Sequence, residues 1–211
     1  MRLRSAVCVA VASLVMTACG SVQSKPQELH VPPERIVLNG YSLMPPNERG
    51  WLMAGRNQYQ LALVKAGGTP DETIAIQAMP VKLPDFESPD DLVRLIKEGQ
   101  AKDTDPKRFA IKKSDVVAYA LKDSTCAKAY HVAEDNSAVK RSGKSGNMIL
   151  EVLTLTCAHP KAKNVGVNVT YSHRHYPDQG GGNFEDKAMS VLESVEFTEL
   201  STSSFNTGNS R

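Results

Sequence analysis

Residues 147–157, NMILEVLTLTC, are the stretch of sequence that decides the fold. Large aliphatic side chains occupy both odd and even positions between Met148 and Leu155, so both faces of a strand here would be apolar. A strand that is apolar on both faces belongs inside a sheet that is covered on each side. This stretch therefore predicts a central strand.

A second strand pattern, residues 126–134, precedes this stretch and is separated from it by a polar loop, residues 135–146. An antiparallel hairpin that pairs Cys126 with Cys157 fixes the other pairs, and directly opposed side chains are close enough for a disulfide. Two of the resulting pairs are Tyr130 with Leu153 and Glu134 with Ile149. The sequence therefore predicts a hairpin whose register agrees with a disulfide.

Strand patterns continue on both sides of this hairpin. Before it, alternating or apolar runs separated by turn residues predict strands at residues 36–44, 50–54, 59–64, 73–78 and 108–119. After it, alternation over residues 165–172 predicts the last long strand, and residues 195–197 predict a final edge strand.

Two helices interrupt the strands. Ser88 is the N-cap candidate of the first, Pro89 stands at its first position, and Gly99 is near its predicted end. Asn183 is the N-cap candidate of the second, which ends near Ser194. The order of strands, helix, strands and helix predicts an α+β fold, a mostly antiparallel sheet with two main helices packed on it.

Two parts of the domain resemble PsbP-type α/β/α sandwich domains. They are Pro45-Pro46 followed by Gly50-Trp51, and the closing stretch 184–197, in which a helix runs into a short strand. That superfamily includes non-enzymatic extrinsic subunits, so the resemblance implies a binding role rather than catalysis.

The first eighteen residues have the three parts of a secretory signal peptide. Two arginines among the first four residues form a positive head, residues 5–16 are an apolar run, and small residues stand directly before Cys19. The apolar run is too short for a membrane-spanning helix, which needs ~20 residues. Residues 1–18 are therefore predicted to direct export.

Met16-Thr17-Ala18-Cys19 resembles the lipobox of bacterial lipoproteins, with Met instead of the more usual Leu at its first position. The resemblance implies cleavage before Cys19, a diacylglyceryl group on its sulfur and a fatty acyl chain, such as palmitate, on the new amino group. Gly20 resembles the pattern sorted to the outer membrane, which would place the protein there facing the periplasm in a host with two membranes. The alternative is an ordinary signal peptide and an unmodified Cys19.

The chain divides into four predicted segments. Residues 1–18 are the signal peptide, residues 19–34 the lipidated N-terminus and a proline-containing tether, residues 35–200 a single α+β domain, and residues 201–211 a polar, disordered tail.

The chain has four cysteines. Cys8 leaves with the signal peptide and Cys19 carries the lipid, so Cys126 and Cys157 remain in an oxidising compartment, where thiols tend to pair. A structural disulfide is the prediction, and free thiols or a metal-binding pair are the alternatives.

The mature chain is close to neutral. There are 25 basic and 23 acidic side chains, and two of the arginines lie in the signal peptide. Neutrality argues against a nucleic-acid partner and against a polybasic membrane surface. The predicted partners are the membrane, through the covalent lipid on Cys19, and an envelope protein; no further cofactor is predicted.

His173 and His175 are the candidate metal ligands. Residues two apart on a strand point to the same side, so their imidazoles share a face and could chelate a metal. His159, Asp178 or Glu185 could supply a third ligand. The alternative is that both rings make ordinary hydrogen bonds at a partly exposed strand end.

A second candidate is the basic loop, which carries Lys140, Arg141 and Lys144. It could contact anionic headgroups or a cell-wall polymer, or it could be a solvated hairpin tip. No hydrolase motif such as Gly-x-Ser-x-Gly or His-Glu-x-x-His occurs, so the domain is predicted not to be an enzyme.

These observations favour a membrane-anchored envelope lipoprotein with a non-enzymatic structural or partner-binding domain. The first alternative is a lipoprotein that binds a metal or small ligand at His173 and His175. The second is an envelope hydrolase without a recognisable motif.

Overall fold

The structure is a computed structural model that describes residues 26–180 and 182–201. The predicted signal peptide, Cys19 and most of the predicted tail lie outside these residues. Within the described part, no helix is both long enough and apolar enough to cross a membrane.

The described residues form eleven strands and two α-helices. The strands are β1 (Gln27–Glu28), β2 (Ile36–Leu38), β3 (Tyr41–Leu43), β4 (Leu52–Arg56), β5 (Leu61–Ala66), β6 (Thr73–Lys82), β7 (Phe109–Leu121), β8 (Ser124–Asp135), β9 (Met148–Ala158), β10 (Val165–His175) and β11 (Glu196–Phe197). The helices are α1 (Pro89–Asp103) and α2 (Phe184–Leu192).

Eight of the described strands form one antiparallel sheet in the order β1-β4-β5-β6-β10-β9-β8-β7, and the short strands β11, β3 and β2 form a second sheet. The α+β prediction, a mostly antiparallel sheet with two helices, is confirmed.

The two faces of the large sheet are covered differently. On one face, core side chains such as Leu153 pack against the small sheet and against α2, where Val191 and Leu192 are buried. On the other face, Ala127 and Ala129 pack against α1 through Leu92. Since α1 contacts mainly β7 and β8, part of this second face stays open.

The predicted central hairpin is confirmed. Strand β9 lies between β8 and β10, and the register pairs Cys126 with Cys157, Tyr130 with Leu153 and Glu134 with Ile149. The two cysteines form a disulfide inside the main core. Coverage of β9 is less complete than its sequence predicts, because Leu150 and Val152 remain partly exposed on the face that carries α1.

Local signals explain where some elements start and stop. Ser88 caps α1, since its Oγ accepts a hydrogen bond from the backbone N–H of Asp91 at 3.1 Å. The helix does not end near Gly99 but continues to Asp103. A glycine inside a helix costs only about 1 kcal/mol relative to alanine, which is too little to end the helix by itself.

The predicted strand at residues 36–44 is instead a hairpin of β2 and β3. The turn between them contains Gly40, whose φ of +88° favours glycine. A Cβ at this position would also collide with the side chain of Leu200. Asn183 does precede α2, but it has a left-handed backbone and makes no side-chain cap.

The packed part of the chain begins inside the range assigned to the tether. Gln27 and Glu28 pair with β4, and the backbone N–H of Leu29 donates to the carbonyl of Trp51 at 2.8 Å. At the other end, the backbone N–H of Ser201 donates to Oδ1 of Asn39 at 2.8 Å.

Candidate metal centre

Three potential metal ligands meet at one rim of the large sheet, where β9 begins and β10 ends. His173 lies directly opposite Glu151 in the register of β9 and β10, and His175 follows on the same face. The two imidazole centroids are 4.6 Å apart. One ligand atom from each of these three residues lies within 4.8 Å of the other two.

His175 presents a free nitrogen to this cluster. Its side chain is 3% exposed, and its Nδ1 is 2.8 Å from the backbone carbonyl oxygen of Tyr176. A carbonyl can only accept, so Nδ1 carries the hydrogen and the neutral ring has its lone pair on Nε2. Nε2 is buried without a hydrogen-bond partner among the described residues and is 4.0 Å from Oε1 of Glu151.

A carboxylate holds His173 from the side. Nε2 of His173 is 2.7 Å from Oε1 of Glu72, and both side chains are 14% exposed. Because a carboxylate accepts, Nε2 carries the hydrogen and the lone pair of the neutral ring lies on Nδ1. A histidine held in this way by a carboxylate is a common arrangement around protein metal ions.

Glu72 is itself held as the ionised carboxylate. Burial alone would raise its pKa, but hydrogen bonds from His173 and from the backbone N–H of Gly68 lower the pKa below its usual value. The Gly68 bond is 2.6 Å long. The ring of His173 also stacks on Phe184 at the start of α2, with centroids 6.5 Å apart.

The third candidate ligand is none of the three residues that the sequence suggested. His159 lies near Gly40 and bonds its carbonyl oxygen at 3.0 Å, Asp178 pairs with Lys144, and Glu185 pairs with Lys128. Glu151 is in the cluster instead. The signal in the sequence was Glu151 itself, the single acidic residue within a mostly apolar strand pattern. Acidic residues are rarely buried unless they have a partner.

Asp71, next to Glu72, fastens the basic loop to this rim. The buried carboxylate of Asp71 accepts hydrogen bonds from the backbone N–H groups of Arg141 and Ser142, from the Ser142 hydroxyl and from the Tyr176 hydroxyl. The Ser142 hydroxyl makes the largest contribution to a pKa of Asp71 that lies far below its usual value. Sequence reasoning missed this residue, because it lies in a turn that composition alone explains.

The predicted binding residues of the basic loop contact the protein itself. Lys140 bonds the backbone carbonyl of Gly146. Nζ of Lys144 lies 4.1 Å from the ring centroid of Tyr176 and 3.8 Å from Asp178. Binding of an anionic partner by Lys140, Arg141 and Lys144 stays a prediction.

We expect Asp71→Asn to release the basic loop. The amide group keeps one acceptor oxygen but loses the charge and puts an N–H₂ where hydroxyl donors point. Amide hydrogen exchange at Arg141 and Ser142 should accelerate at least tenfold at neutral pH. In the wild type, the pKa of Asp71 is lower in the folded than in the unfolded state. The protection that Asp71 gives to these two amides is therefore complete above pH ~4 and decreases as the pH falls further.

Asp178→Asn is the matched control, because Asp178 is an exposed acid near the same loop. It should leave exchange at Arg141 and Ser142 unchanged. Equal exchange in the wild type and in Asp71→Asn would contradict the assignment of Asp71 as the anchor.

No protein-family model matches this chain, and no curated protein matches it either. The chemistry of the side chains at the sheet rim is therefore the basis for a function. Two imidazoles and a carboxylate, with one imidazole nitrogen buried and unpaired among the described residues, suit a divalent transition metal.

Proposed function

We propose that this chain is a lipid-anchored protein of the bacterial cell envelope whose α+β domain binds a divalent transition metal, with Zn²⁺ as the reference ion. Cys19 in its lipobox-like setting supports the anchor. The buried lone pair of His175 Nε2, facing Glu151 beside His173, carries the metal proposal.

The ligand set suits zinc. Zn²⁺ binds imidazole nitrogen and carboxylate oxygen at about 2.0–2.2 Å in tetrahedral geometry, which places neighbouring ligand atoms roughly 3.3 Å apart. The separations of up to 4.8 Å in the cluster must shorten for binding. Glu151 is the ligand that can move, since its side chain is 21% exposed and rotates about three torsions.

Three protein ligands leave one position for water or for a ligand from a partner. Metal binding would also give Nε2 of His175 a partner. A buried polar nitrogen without one destabilises the folded state by about 1–3 kcal/mol. Metal binding at His173 and His175 is the first alternative to the structural or partner-binding domain that the sequence favours, and Glu151 beside the two rings is the reason to prefer it.

The test is a titration of the metal-free protein. All described strands and helices lie between Gln27 and Phe197, so a soluble chain of residues 20–211 keeps every packed element that the structure describes. We expect it to bind one Zn²⁺ in competition with a chromophoric chelator, and one Co²⁺ with the visible absorption of a tetrahedral complex.

Glu151→Gln keeps the shape of the side chain and should weaken Zn²⁺ binding by a factor of about 100, while His175→Ala should abolish the Co²⁺ spectrum. His131→Gln is the control, because His131 lies on the opposite face of the sheet. Absence of one-to-one binding by the wild type, or equal weakening by His131→Gln, would contradict the metal proposal.

A further inference from the structure

An open groove lies on the face of the large sheet that carries α1, on the opposite side from the metal centre. Its apolar floor comes from three neighbouring strands, β7, β8 and β9, through Phe109, Ile111, Ala133, Leu150 and Val152. The C-terminal end of α1 forms one wall through Gln100 and Thr104. Two adjoining cavities of about 550 and 240 Å³ share this wall and the floor residues Phe109 and Ile111.

The floor is continuous because its residues are aligned across the sheet. Ile111 pairs with Ala133, Ala133 pairs with Leu150, and Leu150 pairs with Arg174 on the next strand. Directly opposed side chains on one face are neighbours. The apolar row therefore ends at a guanidinium group.

Two arginines lie at that end of the apolar row. Arg108 and Arg174 both contact the carboxylate of Asp135, at 3.0 and 3.1 Å, and the Asp135 side chain is fully buried. Two guanidinium groups on one carboxylate leave one positive charge. Nε of Arg174 is buried and, within the described part of the chain, has no acceptor.

A second acid, Asp105, also acts electrostatically on Arg108, so the cation left for an anionic ligand at this end is Arg174. Lys97 and Asp103 of α1 have opposite charges. Burial lowers the pKa of His131, and its Nε2 is 2.8 Å from Oε1 of Gln100, so the neutral ring lies on the floor. Arg108 also lies over the ring of Phe109, 4.7 Å from its centroid, which joins the charged end to the apolar floor.

We propose that this groove binds a free single-chain fatty acid, with the carboxylate on Arg174 and the acyl chain along the apolar floor. A single acyl chain fits a narrow apolar row. The larger cavity, about 550 Å³, lies within the usual volume range of small-molecule sites, about 300–1,000 Å³. Arginine suits a carboxylate because its planar fork donates two parallel hydrogen bonds. Arg174 lies on the opposite face of β10 from His173 and His175, which flank it in sequence.

The test is calorimetric titration of the soluble chain of residues 20–211 with sodium dodecanoate below its micelle concentration. We expect one-to-one binding that weakens up to about fourfold for each methylene removed from the chain. Dodecyltrimethylammonium, which has the same chain and the opposite charge, should bind at least tenfold more weakly.

Two matched variants locate the site. Ile111→Asp places a negative charge on the groove floor, and Val117→Asp places one at a similarly exposed position of β7 on the opposite face. We expect the first to weaken dodecanoate binding at least tenfold and the second to leave it unchanged. Equal effects of the two variants, or equal affinity for both head groups, would overturn the proposal. Binding to phosphatidylglycerol vesicles without binding of dodecanoate would also overturn it, in favour of a membrane-facing surface.

Discussion

The double variant Cys126→Ala/Cys157→Ala is expected to lose about 3–4 kcal/mol of unfolding free energy. The disulfide joins residues 31 apart in sequence, so it removes the closure entropy of a loop of that length from the unfolded chain. Both cysteines are almost fully buried in the main core, and alanine leaves no polar group there. Equilibrium urea unfolding measures the difference.

Reduction of the wild type under the same conditions is the control. It should reproduce most of the loss, and the double variant should not respond to reductant. A loss below about 1 kcal/mol, or two alkylatable thiols in the non-reduced wild type, would show that the bond does not stabilise the protein in this way.

The variant Cys19→Ala is expected to move the protein from the membrane fraction to the soluble fraction. Two or three acyl chains anchor a protein stably, at about 0.8 kcal/mol for each buried methylene, whereas the near-neutral mature chain supplies little electrostatic attraction. Cell fractionation and immunoblotting follow the change, and the intact mass of the wild type should correspond to a lipidated chain that begins at Cys19.

Cys8→Ala provides the matched control, since it removes the other cysteine of the N-terminal region. This variant should stay with the membrane. Retention of Cys19→Ala at the membrane, or an unmodified thiol on the mature N-terminus, would refute the lipid anchor.

The parts of the fold that local chemistry determines could be predicted from the sequence. A cysteine pair fixes the register of β8 and β9, because a slip by one residue would turn every side chain to the other face. Ser88 with Pro89 marks the start of α1 for a similarly local reason. In both cases the deciding residues lie within the element or the hairpin itself.

Features that depend on distant contacts could not be predicted. Glu151 joins the histidines only through the pairing of β9 with β10, and no covalent pair fixes that register in advance. The anchoring role of Asp71 requires the turn before β6 to meet a loop about seventy residues later, as its bond to Ser142 shows. Gly99 stays within α1, and Gln100 directly after it bonds the ring of His131 on β8, a contact that only the folded sheet supplies.

If Cys19 carries the proposed lipid, the short strand β1 limits how far the domain can stand from the membrane. Only residues 20–26 separate Cys19 from Gln27, where the chain joins the sheet. Fully extended, such a segment reaches no more than about 28 Å, at ~3.3–3.6 Å per residue. In the lipid-anchored protein that we propose, the sheet edge at β1 therefore stays within that distance of the lipid, so the domain works next to the bilayer.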